Sequence, residues 1–150
     1  MNQTIYPIGI QNFEKIRKDG YLYVDKTALV YQLANTGSYY FLSRPRRFGK
    51  SLLLSTLEAY FQGKKELFEG LAIANLEKEW MEYPILHLDL NAEKYSDAGA
   101  LESMLRRFLN LSEDRRGKDD RDTTPFDRFI GVIRRAYEKT GRRVVVLVDE

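Results

Sequence analysis

The chain has no cysteine and a single histidine, His87, among its 150 residues. Without thiols there is no disulfide, no thiolate zinc site and no cysteine nucleophile, and one imidazole cannot build a multi-histidine metal centre. Long apolar runs are missing too, none approaching the roughly 18 residues of a membrane helix. The opening stretch MNQTIYPIGIQNFEKIRK lacks the basic-then-apolar layout of a secretory leader. A soluble, cytoplasmic chain without a membrane partner is the expectation. Nor is there an excess of charge of one sign: 24 basic and 22 acidic residues leave a formal +2. Any nucleic-acid interface would have to come from local clustering. No internal repeat or low-complexity tract is present.

What the chain does have is apolar content of 43% and aromatic content of 13%, enough for one sizeable core. Ile10, Phe13 and Ile16 stand at helical spacing before Gly20, and YLYV (21–24) reads as a short strand. Asp25 can cap a helix through Leu29, Val30 and Leu33 that stops by Gly37. SYYFLS (38–43) has the aromatic content of a strand. After Lys50 the period becomes helical, with Leu53, Leu57, Tyr60 and Phe61 on one face and Gly63 at the end. KKELFEGLAI reads as a further short helix. YPILHLDLN (83–91) alternates, as an edge strand does, and Leu101, Met104, Leu105 and Phe108 mark an amphipathic helix. SEDRRGKDDRD (112–122) has no apolar residue and reads as a solvated loop. Thr124, Pro125 and Asp127 announce a helix whose expected buried face is Phe126, Phe129, Ile130, Ile133 and Tyr137, ending at Gly141. Val144 to Val148 is an unbroken apolar run, expected to be a central strand buried on both faces. The alternation of strands and helices predicts an α/β architecture with a mostly parallel sheet flanked by helices.

The stretch FLSRPRRFGKSLLL (41–54) carries the chemistry. A triphosphate needs inward-facing backbone N–H groups and the positive end of a helix dipole. Gly49 permits a close backbone approach, Lys50 can reach the outer phosphates, and the Ser51 hydroxyl can ligate magnesium. The pattern G-x-x-x-x-G-K-[ST] lacks its first glycine, because Arg44 occupies that position. The second element follows a hundred residues later. Asp149, at the end of the apolar strand, can hold Mg2+, and Glu150 can polarise the water that attacks the γ-phosphate.

The blocks YPIGIQNFEKIRKDGYLYVDKT, FLSRPRRFGKSLLLSTLEAYFQGKKELFEGLAI, YPILHLDLN and YEKTGRRVVVLVDE resemble, in order, the bacterial AAA-ATPase-like domain family. The loop is similar to the GPRRxGKT form found in prokaryotic AAA-related ATPases. The resemblance implies a P-loop NTPase domain of AAA-related type, with Gly49, Lys50 and Ser51 as phosphate-loop positions and Asp149 and Glu150 as the acidic pair. Arg46, Arg47, Phe48 and Leu52 complete the nucleotide-binding stretch. ATP and Mg2+ are the implied cofactors, with Lys50 and Glu150 in catalytic roles and Ser51 and Asp149 on the metal. Members commonly carry a C-terminal nuclease-like domain of the PD-(D/E)XK type, which would make nucleic acid an indirect partner. The family's strand order 5-1-4-3-2 implies that 38–43, 84–90 and 143–148 are strands 1 to 3 of an incomplete core. Residues 1–150 are thus expected to be the N-terminal part of one domain, a 1–37 extension followed by the 38–150 core. With Glu150 as its last residue, the isolated fragment is expected to hydrolyse ATP weakly or not at all, and an open sheet edge favours a homo-oligomer.

Other readings compete with this one. Arg44, Arg46 and Arg47 could form a nucleic-acid-binding loop, or the chain could be a P-loop-derived scaffold without turnover. His87 and Asp89 share a strand face and read as an outward or helix-covered pair rather than an acid–base couple. YLYVDKT is a candidate for helping to hold adenine.

Overall fold

A computed structural model describes residues 5–37, 40, 49–90 and 98–149, which divide into two units, Met1–Glu82 and Tyr83–Glu150. In the first, Asn12 caps α1 (Phe13–Lys18) by accepting a hydrogen bond from the Lys15 amide at 2.9 Å, and Phe13 and Ile16 are buried as their spacing predicts. Gly20, at φ +73°, turns the chain out of α1. The strand expected over 21–24 does not form: Tyr21 makes one isolated bridge to Ile5. Single backbone bonds from the Tyr21 amide to the Ile16 carbonyl at 3.0 Å and from the Leu22 amide to the Ile5 carbonyl at 2.8 Å hold this segment, together with the Tyr23 ring set edge-on to Phe13 at 5.1 Å.

Asp25 precedes α2 (Thr27–Thr36) and ties it down. One carboxylate oxygen accepts from the Thr27 amide and hydroxyl at 2.9 and 2.6 Å, and the other accepts from the Ala72 amide at 2.8 Å. The Thr27 hydroxyl in turn accepts from the Ile73 amide. Burial pushes the Asp25 carboxyl up, but the bonds from Thr27 and Ala72 outweigh it and leave the group below its ordinary range. The bonds from the Ala72 and Ile73 amides hold the start of α2 against residues 72–73, and the two Thr27 bonds fix the Asp25 carboxylate that receives one of them.

α3 (Lys50–Phe61) follows, then two 3-10 turns, Lys65–Phe68 and Ala72–Asn75, where a single short helix is expected. The core gathers Phe13, Val30, Ala59, Tyr60, Leu67, Phe68, Leu71 and Ile73, with Leu53, Leu57 and Phe61 packed on it as their helical face requires. Glu77 closes this unit. It accepts a very short hydrogen bond from the Tyr60 hydroxyl, and its other oxygen accepts from the amides of Lys78 and Glu79.

In the second unit β1 (Ile85–Asp89) and β2 (Val145–Asp149) pair in parallel, Ile85 level with Val145 and Asp89 level with Asp149. Between them run α4 (Ala98–Arg116) and α5 (Pro125–Thr140). Thr124 accepts from the Asp127 amide, Pro125 opens the helix and Gly141 ends it at φ +67°, as the local chemistry dictates. The expected sheet strand 38–43 lies outside the described residues, apart from Tyr40.

Three expectations for this unit are overturned. Residues 112–116 are helical, not loop: Ser112 donates to the Phe108 carbonyl, and the buried Glu113 pairs with Arg128 at 2.6 Å, so polar bonds replace apolar contacts there. β2 is not buried on both faces. Leu147 and Asp149 are buried, while Val146 and Val148, on the other side of the pleat, are exposed. The buried residues of α5 are Gly131, Val132 and Ala136. Of the expected stripe, Phe129 and Ile133 are half-buried, Phe129 with its ring centre 6.5 Å from that of Phe108, while Phe126, Ile130 and Tyr137 are exposed. Two ion pairs turn the helix this way. Arg128 reaches Glu113 and, at 2.7 Å, Asn110 on α4, while Arg135 reaches Asp122 at 3.1 Å.

Breaking the Arg128–Glu113 pair leaves a buried charge without its partner. Glu113→Ala is expected to destabilise the second unit by about 2–3 kcal/mol in denaturant unfolding. A loss below about 0.5 kcal/mol, the worth of an exposed pair, would show that the bond does not orient α5.

Burial raises the Glu77 carboxyl, but the Tyr60 hydroxyl and the loop amides overcome this and leave it below its ordinary value near 4.5. Its stabilisation is therefore complete above pH 4.5 and declines as pH falls toward the lowered folded value. Tyr60 is pushed up, first by burial and then by Glu77, so its contribution is complete below its ordinary 10 and declines above it. Glu77→Gln should flatten the acid decline in the melting temperature measured between about pH 5 and pH 3. An unchanged acid slope would remove Glu77 as its cause.

Candidate functional site

The start of α3 is built by backbone geometry. Gly49 sits at the N-cap with φ +82° and ψ +14°, a left-handed conformation that a β-carbon disfavours. Its carbonyl accepts the first helical bond, from the Leu53 amide at 2.9 Å. Among the described residues no N-cap side chain bonds to the first turn, since glycine has none to offer, and the helix N-terminus carries the positive end of its dipole. A β-carbon built on Gly49 would meet no atom of the described residues within 4 Å, so those residues leave that side of the turn open. Lys50, Ser51 and Leu52 form the first turn.

The helix behind this turn is anchored to α1. The Ser55 hydroxyl accepts from the Phe13 amide at 3.0 Å, meeting one of the N–H groups that α1 leaves without a helical partner. It lies 2.9 Å from the Leu52 carbonyl, which the Thr56 hydroxyl also approaches at 2.7 Å. Leu52 packs on the core, so its side chain anchors the turn while its amide belongs to the first turn. Glu14, held below its ordinary value by hydrogen bonds from Lys18 and then Lys64, bridges α1 to the segment after α3. Lys50 is half-buried and makes no ion pair among the described residues.

In the second unit, Asp149 ends β2 as a buried side chain, and its carbonyl accepts from the Leu90 amide at 2.7 Å. The register sets it beside Asp89 on the same face of the sheet, with Leu147 and His87 one layer below. Both carboxylates stand at the C-terminal end of parallel strands, where open α/β sheets take their ligands.

The structure thus brings Gly49, Lys50, Ser51 and Leu52 together at one helix start, and places Asp149 with Asp89 at one end of the sheet. Arg44, Arg46, Arg47, Phe48 and Glu150 lie outside the described residues. Asp89 was legible only as one of an outward or helix-covered pair with His87. Its place beside Asp149 needed the parallel register, which two separate stretches of sequence do not declare. The adenine reading of YLYVDKT gains no support, since Asp25 and Thr27 direct their hydrogen bonds to the chain itself.

A family profile described as "Predicted AAA-ATPase" matches residues 7–150. The chain belongs to the predicted AAA-ATPase family. For a member of this family an ATP-related function follows at the coarse level. A relative from Azotobacter chroococcum mcd 1, titled "Uncharacterized protein in vnfD 5'region", is 43% identical over 151 residues, covering all of this chain. The chain spans 29% of that protein's length. No solved structure matches. Among the described residues no helix is long and apolar enough to cross a membrane, and no three His, Asp or Glu side chains cluster as a metal site.

If the left-handed turn is what Gly49 supplies, Gly49→Ala should cost about 1 kcal/mol of stability and Gly49→Asn distinctly less. Equal melting temperatures for glycine and alanine would show that the turn does not require this conformation.

Proposed function

We propose that this chain is the nucleotide-binding part of an ATPase, binding Mg2+-ATP at the start of α3. The observation that carries the reading is the left-handed Gly49 opening a helix within the G-K-S triplet of a predicted AAA-ATPase family member. The open side of Gly49 suits an approaching phosphate, and a twelve-residue helix has a developed dipole. Lys50 would neutralise the outer phosphates, and the first-turn amides of Lys50, Ser51 and Leu52 would face the phosphate oxygens. Arg46, Arg47 and Phe48 would complete the cradle.

Magnesium in such sites keeps several waters and takes only one or two protein ligands, so it needs no three-residue cluster. Ser51 and Asp149 would be those ligands, and bound Mg2+ would neutralise charge on the phosphates. Glu150 would orient the attacking water. Hydrolysis belongs, in this reading, to the longer protein of which the chain matches a part, where it would drive or regulate a nucleic-acid-processing domain such as a nuclease-like one.

The test is Mg2+-ATP binding by calorimetry on the full chain and its Lys50→Ala variant. Loss of about 100-fold or more in affinity is expected, in line with two to three kcal/mol for charge-assisted phosphate contacts. Unchanged affinity in a folded Lys50→Ala protein would overturn the assignment.

A further inference from the structure

α5 carries two distinct faces, and the packing uses one of them. On the inner side Val132 and Ala136 are buried, and Arg128 and Arg135 make their ion pairs. On the opposite side Phe126, Ile130 and Tyr137 are 71%, 45% and 55% exposed, with the half-buried Ile133 among them. The steps between these four residues are four, three and four. That is the alternation of a coiled-coil seam. It is also a palindrome, reading the same from either end of the helix. In an antiparallel pair of α5 helices, Phe126 of each copy would meet Tyr137 of the other, and Ile130 would meet Ile133.

The charges beside the stripe lie close to the same two-fold, their midpoint one residue nearer the helix N-terminus than that of the apolar residues. Asp127 and Arg134 each follow a seam residue by one position, on the same flank, and both are exposed. Neither forms an ion pair among the described residues. Asp119, held well below the usual carboxylate range chiefly by Arg121, is only a minor neighbour of Arg134. An antiparallel two-fold arrangement sets Asp127 of each copy toward Arg134 of the other, forming the same pair twice, and it opposes the two helix dipoles favourably.

We propose that α5 is a self-association surface, through which two copies of this chain pair antiparallel about an axis between Gly131 and Val132. Self-complementarity in both the apolar spacing and the charges is what selects a second copy as the occupant. A different protein, or another segment of a longer chain, would not require the helix to match itself. Two heptads bury well under the roughly 1,600 Å² of a standard interface, so the dimer is weak, with a dissociation constant on the order of 100 µM.

Sedimentation equilibrium of the full chain from about 10 µM to about 1 mM should show a reversible monomer–dimer equilibrium. Asp127→Arg and Arg134→Asp should each weaken it about fivefold or more, and the two together should restore it. Ile130→Glu should abolish the dimer while leaving helical content and melting temperature near those of the parent chain. The proposal fails if the chain stays monomeric at about 1 mM, or if the charge swap does not restore what the single changes lose. It fails as well if Ile130→Glu leaves the dimer intact or unfolds the chain, the latter meaning that the stripe is covered from within.

Discussion

The first unit depends on one aromatic stack. Phe13 lies 4.8 Å from Phe68 between ring centres, Phe68 lies 5.1 Å from Trp80, and Trp80 lies 5.8 Å from Tyr60. Phe13 and Phe68 are fully buried, each contributing about 2–3 kcal/mol by removal from water. Tyr60 stands on the last turn of α3, so the stack fixes the rotation of that helix about its axis. Ser55 fixes its middle through the Phe13 amide. The glycine turn at the other end is then carried on an element whose position is set by residues far from it. A loop that must meet a charged ligand gains accuracy from such a scaffold without being stabilised by its own contacts.

What the sequence made legible was local chemistry. The Thr124 cap with Pro125 behind it, the glycines after α1 and α5, and the G-K-S triplet opening a helix each depend on residues within a turn of one another. The structure places them where those residues require. The parallel pairing of β1 with β2 also agrees with the strand–helix alternation. The reading failed where the deciding partner was distant. Nothing near Ser112 and Glu113 signals burial, because Arg128, fifteen residues past Glu113, supplies the reason. Periodicity identified the apolar stripe of α5 correctly but could not say which way it would face. Arg128 and Arg135 decided that through their acids.

The candidate site follows the same division. Gly49, Lys50, Ser51 and Leu52 are adjacent in the chain, and their conformation could be anticipated from a motif. Asp89 and Asp149 are sixty positions apart and become neighbours only through the register of two strands. A run of apolar residues before Asp149 announced a strand, yet its burial alternates, since a pleated strand covered on one side hides every second side chain. Asp25 illustrates the converse. A conspicuous acid before a helix had a structural task, joining α2 to residues 72–73.

One small contact has a larger effect on how the first unit moves. Trp80 adopts a left-handed backbone at φ +49°, and its carbonyl lies where a β-carbon on Gly63 would come within 2.7 Å of it. The two ends of the segment 64–79 therefore touch, at a place where only glycine fits. The entropy lost in closing such a loop is set at that single point and grows only slowly with the residues between. Its 3-10 turns, together with the Glu77 bond to Tyr60, share one latch. Fluctuations that release the latch would loosen the whole segment together, making it one cooperative opening unit beneath an otherwise intact α3.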